Sequence, residues 1–214
     1  MMDSSYTINH STVKAKRVFD VCLSLIGLGL TLPLFPLIAL AIKLNSKGPV
    51  FYRQLRVGKA MPTQVHVFEM IKFRSMVQDA EVNTGATLAT EGDCRITLVG
   101  RFLRKTRLDE LPQFFNVLNG DMSLVGPRPE RPTFYNKLEH EIPYFSERTY
   151  GVLPGITGLA QVNQGYDTCI EDVRSKVGFD HSYALSLSSI SSWIRIDMYI
   201  LLMTVKVMIF ARGQ

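Results

Sequence analysis

The sequence predicts a mostly helical α+β fold, with one compact cytosolic domain joined to an N-terminal re-entrant membrane helix and bordered by interfacial amphipathic helices. Three observations predict it. Val21 to Ile42 is uncharged but broken by Pro33 and Pro36. Short β-rich runs alternate with helical patterns through the middle of the chain, and the C-terminal stretch is apolar yet interrupted by Arg195, Asp197 and Lys206. With 214 residues and 46% hydrophobic content, the chain encloses one core and is too short for two full-sized domains.

Residues 1–12 are polar and are expected to be a disordered tail, and residues 13–47 to form a helix-break-helix. A straight helix over Val21 to Ile42 would extend about 33 Å, enough to cross a hydrocarbon core of roughly 30 Å, so composition alone allows a single span. Two features favour re-entry. Pro33 and Pro36 each remove a backbone donor and clash with the preceding turn, which puts a bend near Leu32-Pro33. Positive charge also flanks both ends, with Lys14, Lys16 and Arg17 before the segment and Lys43, Lys47, Arg53 and Arg56 after it, which keeps both ends on the cytoplasmic side. Ser24, Thr31 or neighbouring protein would satisfy the backbone groups freed at the bend. A cleaved signal peptide does not fit, because the apolar stretch is too long and no small-residue cleavage pattern follows it.

Residues 48–191 form the globular region. Strands are expected over Phe51 to Val57, Val65 to Phe73 and a short run near Ile96 to Val99, and helices over Leu111 to Leu118 and Ile170 to Leu185. Turns fall at Gly126-Pro127-Arg128-Pro129 and at Pro154-Gly155-Ile156-Thr157-Gly158. Residues 192–214 follow. There Trp193 and Tyr199 among apolar residues suit a helix lying in a membrane interface, and a buried terminal helix of the core explains the same pattern equally well.

The net charge of +5 points to an anionic partner: a lipid headgroup, a phosphorylated substrate or nucleic acid. No groove-reading motif supports nucleic acid. The odd, scattered cysteines Cys22, Cys94 and Cys169 suggest neither a disulfide framework nor a zinc site, and the four histidines carry no assigned role.

The residues with chemical potential are few. Arg101, Arg104, Lys105 and Arg107 precede the adjacent carboxylates Asp109 and Glu110, and Pro112 marks a helix about to start. With Asp109 at or near the N-cap and Pro112 in the first turn, the helix dipole would keep both acids ionised. Such an aspartate can attack phosphorus or bind a divalent cation, with the glutamate as its partner; an ordinary helix cap explains the dipeptide alone at least as well. Arg128, fixed between Pro127 and Pro129, either offers its planar fork to phosphate oxygens or packs against the turn. Lys72 and Arg74 alternate on one face of a strand, where solvent exposure is the simple reading.

Taken together the segments resemble the bacterial sugar transferase family, the monotopic polyprenyl-phosphate phosphoglycosyl transferases. The resemblance runs from about Lys16 to the C-terminus. Its pieces, in order, are Lys16 to Asp20, Gly48 to Gln54 with Arg56 to Gly58, Lys72 to Met76, Leu108 to Gln113, Asn116 to Ser123, Val125 to Pro129 and Pro154 to Gly158.

What the resemblance implies is specific. The membrane helix would be re-entrant and break at Pro33, with the protein on the cytoplasmic face of the bacterial inner membrane. Asp109 would be the nucleophile and a Mg2+ ligand, Glu110 its partner, and Lys72, Arg104 and Arg128 the groups that bind substrate phosphates. The substrates would be a UDP-sugar and polyprenyl phosphate. The first would leave a sugar-phosphoryl aspartate and UMP, and the second would carry the sugar phosphate away as polyprenyl diphosphate sugar. Homo-oligomers, membrane lipid and downstream glycosyltransferases are the partners so implied, and the chain would be the minimal catalytic form, lacking the extra N-terminal membrane region of larger members. An inactive relative that recruits other enzymes is the competing reading, and the retained Asp109, Glu110 and Arg128 argue against it. Three departures from the pattern are Leu153 in place of a basic residue, Asn163 to Asp167 in place of Asn-Gly-Arg, and Leu32 in place of serine before the break.

Overall fold

The computed structural model describes residues 8–61, 63–82, 85, 87, 92–164 and 170–209. The helices are α1 (His10–Thr31), α2 (Leu34–Asn45), α3 (Leu98–Lys105), α4 (Gln113–Asn119), α5 (Pro132–Glu141), α6 (Leu159–Asn163), α7 (Ile170–Ser186) and α8 (Ile190–Ile209). The strands are β1 (Phe51–Met61), β2 (Gln64–Phe73), β3 (Ser123–Val125) and β4 (Gly155–Thr157). Strands β1 and β2 form an antiparallel hairpin running from the Phe51/Phe73 pair to the Met61/Gln64 pair, with a bulge between Val57 and Ala60; β3 and β4 pair in parallel.

The chain bends by 62° between α1 and α2, at Leu32-Pro33 as the prolines require. Thr31 Oγ1 donates to Gly27 O at 2.7 Å, satisfying one carbonyl of the broken last turn, whereas the hydroxyl of Ser24 has no partner among the described residues. No single described helix is long and apolar enough to cross a membrane, and the bent pair passes that test only together.

The side-chain distribution on α1 is inverted relative to a water-facing helix. Its buried positions, Thr12, Lys16, Asp20, Ser24 and Leu28, recur every four residues and are mostly polar. Its exposed positions include Val13, Val18, Leu25, Ile26 and Leu30, and α2 exposes Leu34, Leu37, Leu40 and Leu44. Helix α8 has the same character. Trp193, Asp197 and Ile200 face inward, while Ile194, Met198, Leu202 and Val205 face outward. The inward face is that of a buried terminal helix, and the outward face is apolar and exposed.

The inward polar stripe is paired. Lys16 Nζ lies 2.7 Å from Asp197 Oδ2 and 3.6 Å from Asp20 Oδ1. Asp197 also accepts from Trp193 Nε1 at 2.7 Å and Tyr183 OH at 3.0 Å, and Asp20 accepts from Ser123 Oγ at 2.8 Å and Leu124 N at 3.2 Å. Arg17 donates to the carbonyls of Val117 and Leu118, capping the C-terminus of α4. The bent helix pair is thus tied to α4, β3 and α8 by hydrogen bonds whose loss would strand charge in the interior.

Several expectations need correction. The tail is shorter than expected: Asn9 caps α1 by accepting from Ser11 N, so residues 10–12 are helical, and residues 1–7 lie outside the described set. The run near Ile96 to Val99 is not a strand. Ile96 makes one bridge to Met76, Thr97 caps by accepting from Gly100 N, and α3 begins at Leu98. The helix placed over Leu111 to Leu118 starts at Gln113, with Pro112 as its cap residue instead of a member of its first turn, so Asp109 is not an N-cap. Residues 165–167 of the departure at Asn163 to Asp167, and 210–214 of the C-terminal helix, lie outside the described residues.

Removing Asp197 leaves Lys16, Tyr183 and Trp193 without their common acceptor. Asp197→Ala is expected to cost about 3–5 kcal/mol, lowering the thermal midpoint of the purified protein by roughly 10 °C. Lys16→Met added to it is expected to restore part of the loss. An unchanged midpoint for the single variant would show that the network is not structural.

Candidate active site

Asp109 and Glu110 lie in a 3-10 turn, Leu108–Glu110, between α3 and α4. The turn is entered through Arg107, whose φ of 59° reverses the chain in the left-handed region. Leu108 and Leu111 pack against the cluster formed by Phe73, Leu103 and α2. That spacing leaves the two acids between them pointing the other way. Both are nonetheless buried, at 7% and 8% exposure.

Two cations from separate elements meet Glu110. Lys72, near the end of β2, places Nζ 2.7 Å from Oε1, and Arg128, in the loop after β3, places Nη2 3.4 Å from the same oxygen. Asn116 of α4 holds the register of β2, accepting from Ile71 N at 3.0 Å and donating to Glu69 O at 2.7 Å. Lys72 is thereby placed against the turn that begins α4.

Electrostatics separates the neighbouring carboxyls. Burial alone would raise the Glu110 pKa, but the charges of Lys72, Arg128 and Arg107 and the hydrogen bond from Lys72 hold it well below the ordinary carboxylate range. Asp109 is dominated by burial, which pushes it up to about 6; Lys72 opposes this, the Glu110 charge adds to it, and Arg104 and Arg107 oppose it again. Lys72 is itself lowered, first by burial, with Glu110 acting to raise it. Burial and the charges of Lys72, Arg128, Arg104 and Arg107 set the two acids, in place of the helix dipole expected from the sequence.

Asp109 Oδ1 is buried without a hydrogen-bond partner among the described residues. No group of three or more His, Cys, Asp and Glu side chains among those residues could hold a metal. Mg2+, however, binds commonly through one or two carboxylates together with substrate phosphates. The unpartnered Asp109 oxygen fits that donor set, and Oε1 of Glu110 is engaged by Lys72 and Arg128.

Of the residues singled out from sequence, Lys72, Asp109, Glu110 and Arg128 are brought together, and Arg104 acts on Asp109 through its charge. Pro33 belongs to the bend. Arg74 does not share the site with Lys72. It donates to the carbonyls of Ser46 and Lys47 and holds the chain leaving α2. Lys72 is no solvated strand residue, since it is largely buried against Glu110. Arg107 acts on both acids, a role its place in a run of basic residues did not reveal; the Leu108 and Leu111 pair around the acids was the available signal.

The loop containing Arg128 rests directly on the other glycine-rich turn. Gly126 N donates to Thr157 O and Gly155 N to Pro127 O, both at 2.9 Å. A Cβ added at Gly126 would lie 2.4 Å from Leu153 O, and one at Gly155 would lie 2.1 Å from Gly126 N, so this crossing admits no side chain at either position.

Comparison with known proteins gives a consistent result. The family model described as bacterial sugar transferase matches residues 11–211. Over 198 residues the chain is 44% identical to the UDP-N-acetylgalactosamine-undecaprenyl-phosphate N-acetylgalactosaminephosphotransferase of Aeromonas hydrophila, covering 92% of this chain and 44% of that protein. It is 41% identical over 203 residues to the undecaprenyl-phosphate glucose phosphotransferase of Komagataeibacter xylinus, covering 92% of this chain and 36% of that protein. It is also 41% identical over 192 residues to the UDP-glucose:undecaprenyl-phosphate glucose-1-phosphate transferase of Caulobacter vibrioides, covering 89% and 68%. The chain therefore spans less than half the length of the Aeromonas and Komagataeibacter proteins.

The raised Asp109 pKa makes a stability prediction with a definite sign. An acid raised on folding costs nothing below its unfolded value near 3.8, and the cost grows until pH passes the folded value of about 6. Asp109→Asn is therefore expected to stabilise the protein by on the order of 1–3 kcal/mol at pH 7.5 and by almost nothing at pH 3.5. Thermal unfolding at the two pH values measures this; a destabilised variant at pH 7.5 would contradict it.

Proposed function

The chain belongs to the bacterial sugar transferase family, and from that premise we propose that it transfers a sugar 1-phosphate from a UDP-sugar to polyprenyl phosphate through a covalent aspartyl intermediate. The observation that carries this reading is the buried Oδ1 of Asp109, without a hydrogen-bond partner among the described residues, beside a Glu110 held by Lys72 and Arg128.

The geometry supports a division of labour between the acids. Glu110, kept ionised, accepts from both Lys72 and Arg128 at Oε1 and orients these two cations toward incoming phosphate. Asp109 has an oxygen available. Its carboxylate attacks the β-phosphorus of the UDP-sugar, forming a phosphorus–oxygen bond as the bond to the bridging oxygen breaks and UMP departs with that electron pair. A phosphate oxygen of the polyprenyl phosphate then attacks the same phosphorus, the bond to Asp109 breaks, and the carboxylate is regenerated. No proton transfer is required in either displacement. Lys72, Arg104, Arg107 and Arg128 offset charge that accumulates on the transferring phosphoryl group.

We propose Mg2+ as the cofactor; the Asp109 carboxylate would be its protein ligand, and when bound the ion would neutralise phosphate charge. The covalent route suits two polyanionic substrates, which meet the aspartate in turn instead of each other.

The inverted α1 supports a membrane setting on the cytoplasmic face. A helix that turns Lys16, Asp20 and Ser24 into protein and Leu25, Ile26 and Leu30 outward is built for an apolar solvent. The exposed apolar faces of α2 and α8 support the same setting, and together they would hold Asp109 at headgroup depth, within reach of a lipid-borne phosphate. The step would be the first membrane step of bacterial glycoconjugate assembly.

The names of the relatives divide between N-acetylgalactosamine and glucose, so the assay offers UDP-N-acetylgalactosamine and UDP-glucose with undecaprenyl phosphate and follows UMP release. Asp109→Asn is expected to lower turnover by about a thousandfold or more. The wild-type rate is expected to fall tenfold per pH unit below about 6, because protonated Asp109 cannot attack. Retained turnover in the variant, or a rate independent of pH between 4 and 7, would refute the assignment.

A further inference from the structure

We propose that Arg148, with Arg56, is a positioning residue that sets the guanidinium of Arg128 by holding the backbone carbonyls of its loop. The inference rests on the reading of Arg128 as a phosphate-binding group.

Pro127 and Pro129 remove the backbone N–H on either side of Arg128, so this loop cannot supply a regular ladder of its own. Its carbonyls must find donors elsewhere. Four successive carbonyls do so from separate parts of the chain. Pro127 O accepts from Gly155 N at 2.9 Å, Arg128 O from Arg148 Nη2 at 3.0 Å, Pro129 O from Arg56 Nη1 at 3.0 Å, and Glu130 O from Val57 N at 2.8 Å. Two of the four donors are side chains, and both are arginines whose fork spans two acceptors.

Arg148 is an expensive residue to place there. It is buried in the 3-10 turn Ser146–Thr149, with Nη1 2.7 Å from the buried Asp180 Oδ2, and its guanidinium lies over the Phe145 ring at 4.7 Å. A buried ion pair commonly gives no stability beyond that of a well-packed apolar pair. What an apolar pair could not do is hand a second guanidinium nitrogen to Arg128 O. Asp180, from α7, fixes the fork on one side, and the carbonyl it holds on the other belongs to the residue whose side chain reaches Glu110 at 3.4 Å. Arg56 plays the same part from β1, with Nη2 donating to Gln54 Oε1 at 2.6 Å. The hydrogen bonds and ion pairs of these two arginines go to Gln54, Arg128, Pro129, Glu130 and Asp180 and not to Asp109 or Glu110, so both act through Arg128.

Lysine keeps the charge but cannot span two acceptors, so Arg148→Lys and Arg56→Lys loosen the loop without reversing its electrostatics. The test measures kcat and KM for UMP release by the full chain with undecaprenyl phosphate and whichever of the two UDP-sugars the wild type turns over. Each variant is made alone and combined with Arg128→Ala. Each lysine variant is expected to lower kcat by about tenfold or more when Arg128 is present. The same substitution is expected to change the residual rate by less than about twofold when Arg128 is alanine. Equal factors in both backgrounds, or single lysine variants with wild-type kcat, would overturn the positioning role. Wild-type turnover by Arg128→Ala alone would instead refute the proposed part of Arg128 in transfer, and with it the reason to position that residue. Thermal unfolding checks that Arg148→Lys folds; if it does not, Arg56→Lys carries the cycle.

Discussion

A carboxylate that stays ionised while buried constrains everything around it. Glu110 is enclosed, and it keeps its charge because Lys72 and Arg128 reach the same oxygen from different elements and the Arg107 charge adds to theirs. That requirement brings the end of β2, the turn before α4 and the loop after β3 to one point. It also breaks the symmetry of the acid pair. With the cations committed to Glu110, Asp109 faces its charged neighbour with an unpartnered oxygen and a pKa near 6. Adjacent residues of similar chemistry thus acquire different electrostatic characters, one held charged by cations, the other raised by burial.

Pairing of buried polar groups also governs the N-terminal helices. Polar side chains that a water-facing helix would expose are turned inward on α1 and find Asp197, Ser123 and the α4 carbonyls. The apolar side chains face out. Because Arg17 caps α4 and Asn116 of α4 fixes β2, the bent helix pair and the acid turn are mechanically continuous. Where the helices sit therefore decides where Asp109 sits, which is how depth in a membrane would become part of the chemistry.

Much of this was legible in the sequence. Pro33 located the bend, the β-rich runs located β1 and β2, and the ordered motifs brought Lys72, Asp109, Glu110 and Arg128 into one site. What failed was local propensity where tertiary contacts decide. Ile96 looked like strand, but Thr97 offers a cap and α3 begins next to it. Asp109 looked like a cap, but Arg107 reverses the chain and the acids fall in a 3-10 turn. Lys72 and Arg74 shared a strand pattern, yet one meets Glu110 and the other the end of α2. The partners of Lys16 and Arg148 lie 181 and 32 residues away, at separations that no periodicity encodes.

The central claim is that Asp109 becomes esterified by a sugar phosphate. The direct measurement mixes the protein with Mg2+ and a UDP-sugar labelled in the sugar, omits the lipid acceptor, quenches in acid and locates the label by peptide mass spectrometry. The account predicts one burst of UMP per active site and the label on the peptide containing residue 109, discharged when undecaprenyl phosphate is added before the quench. A protein that turns over with both substrates but carries no label, or carries it on another residue, would contradict the account.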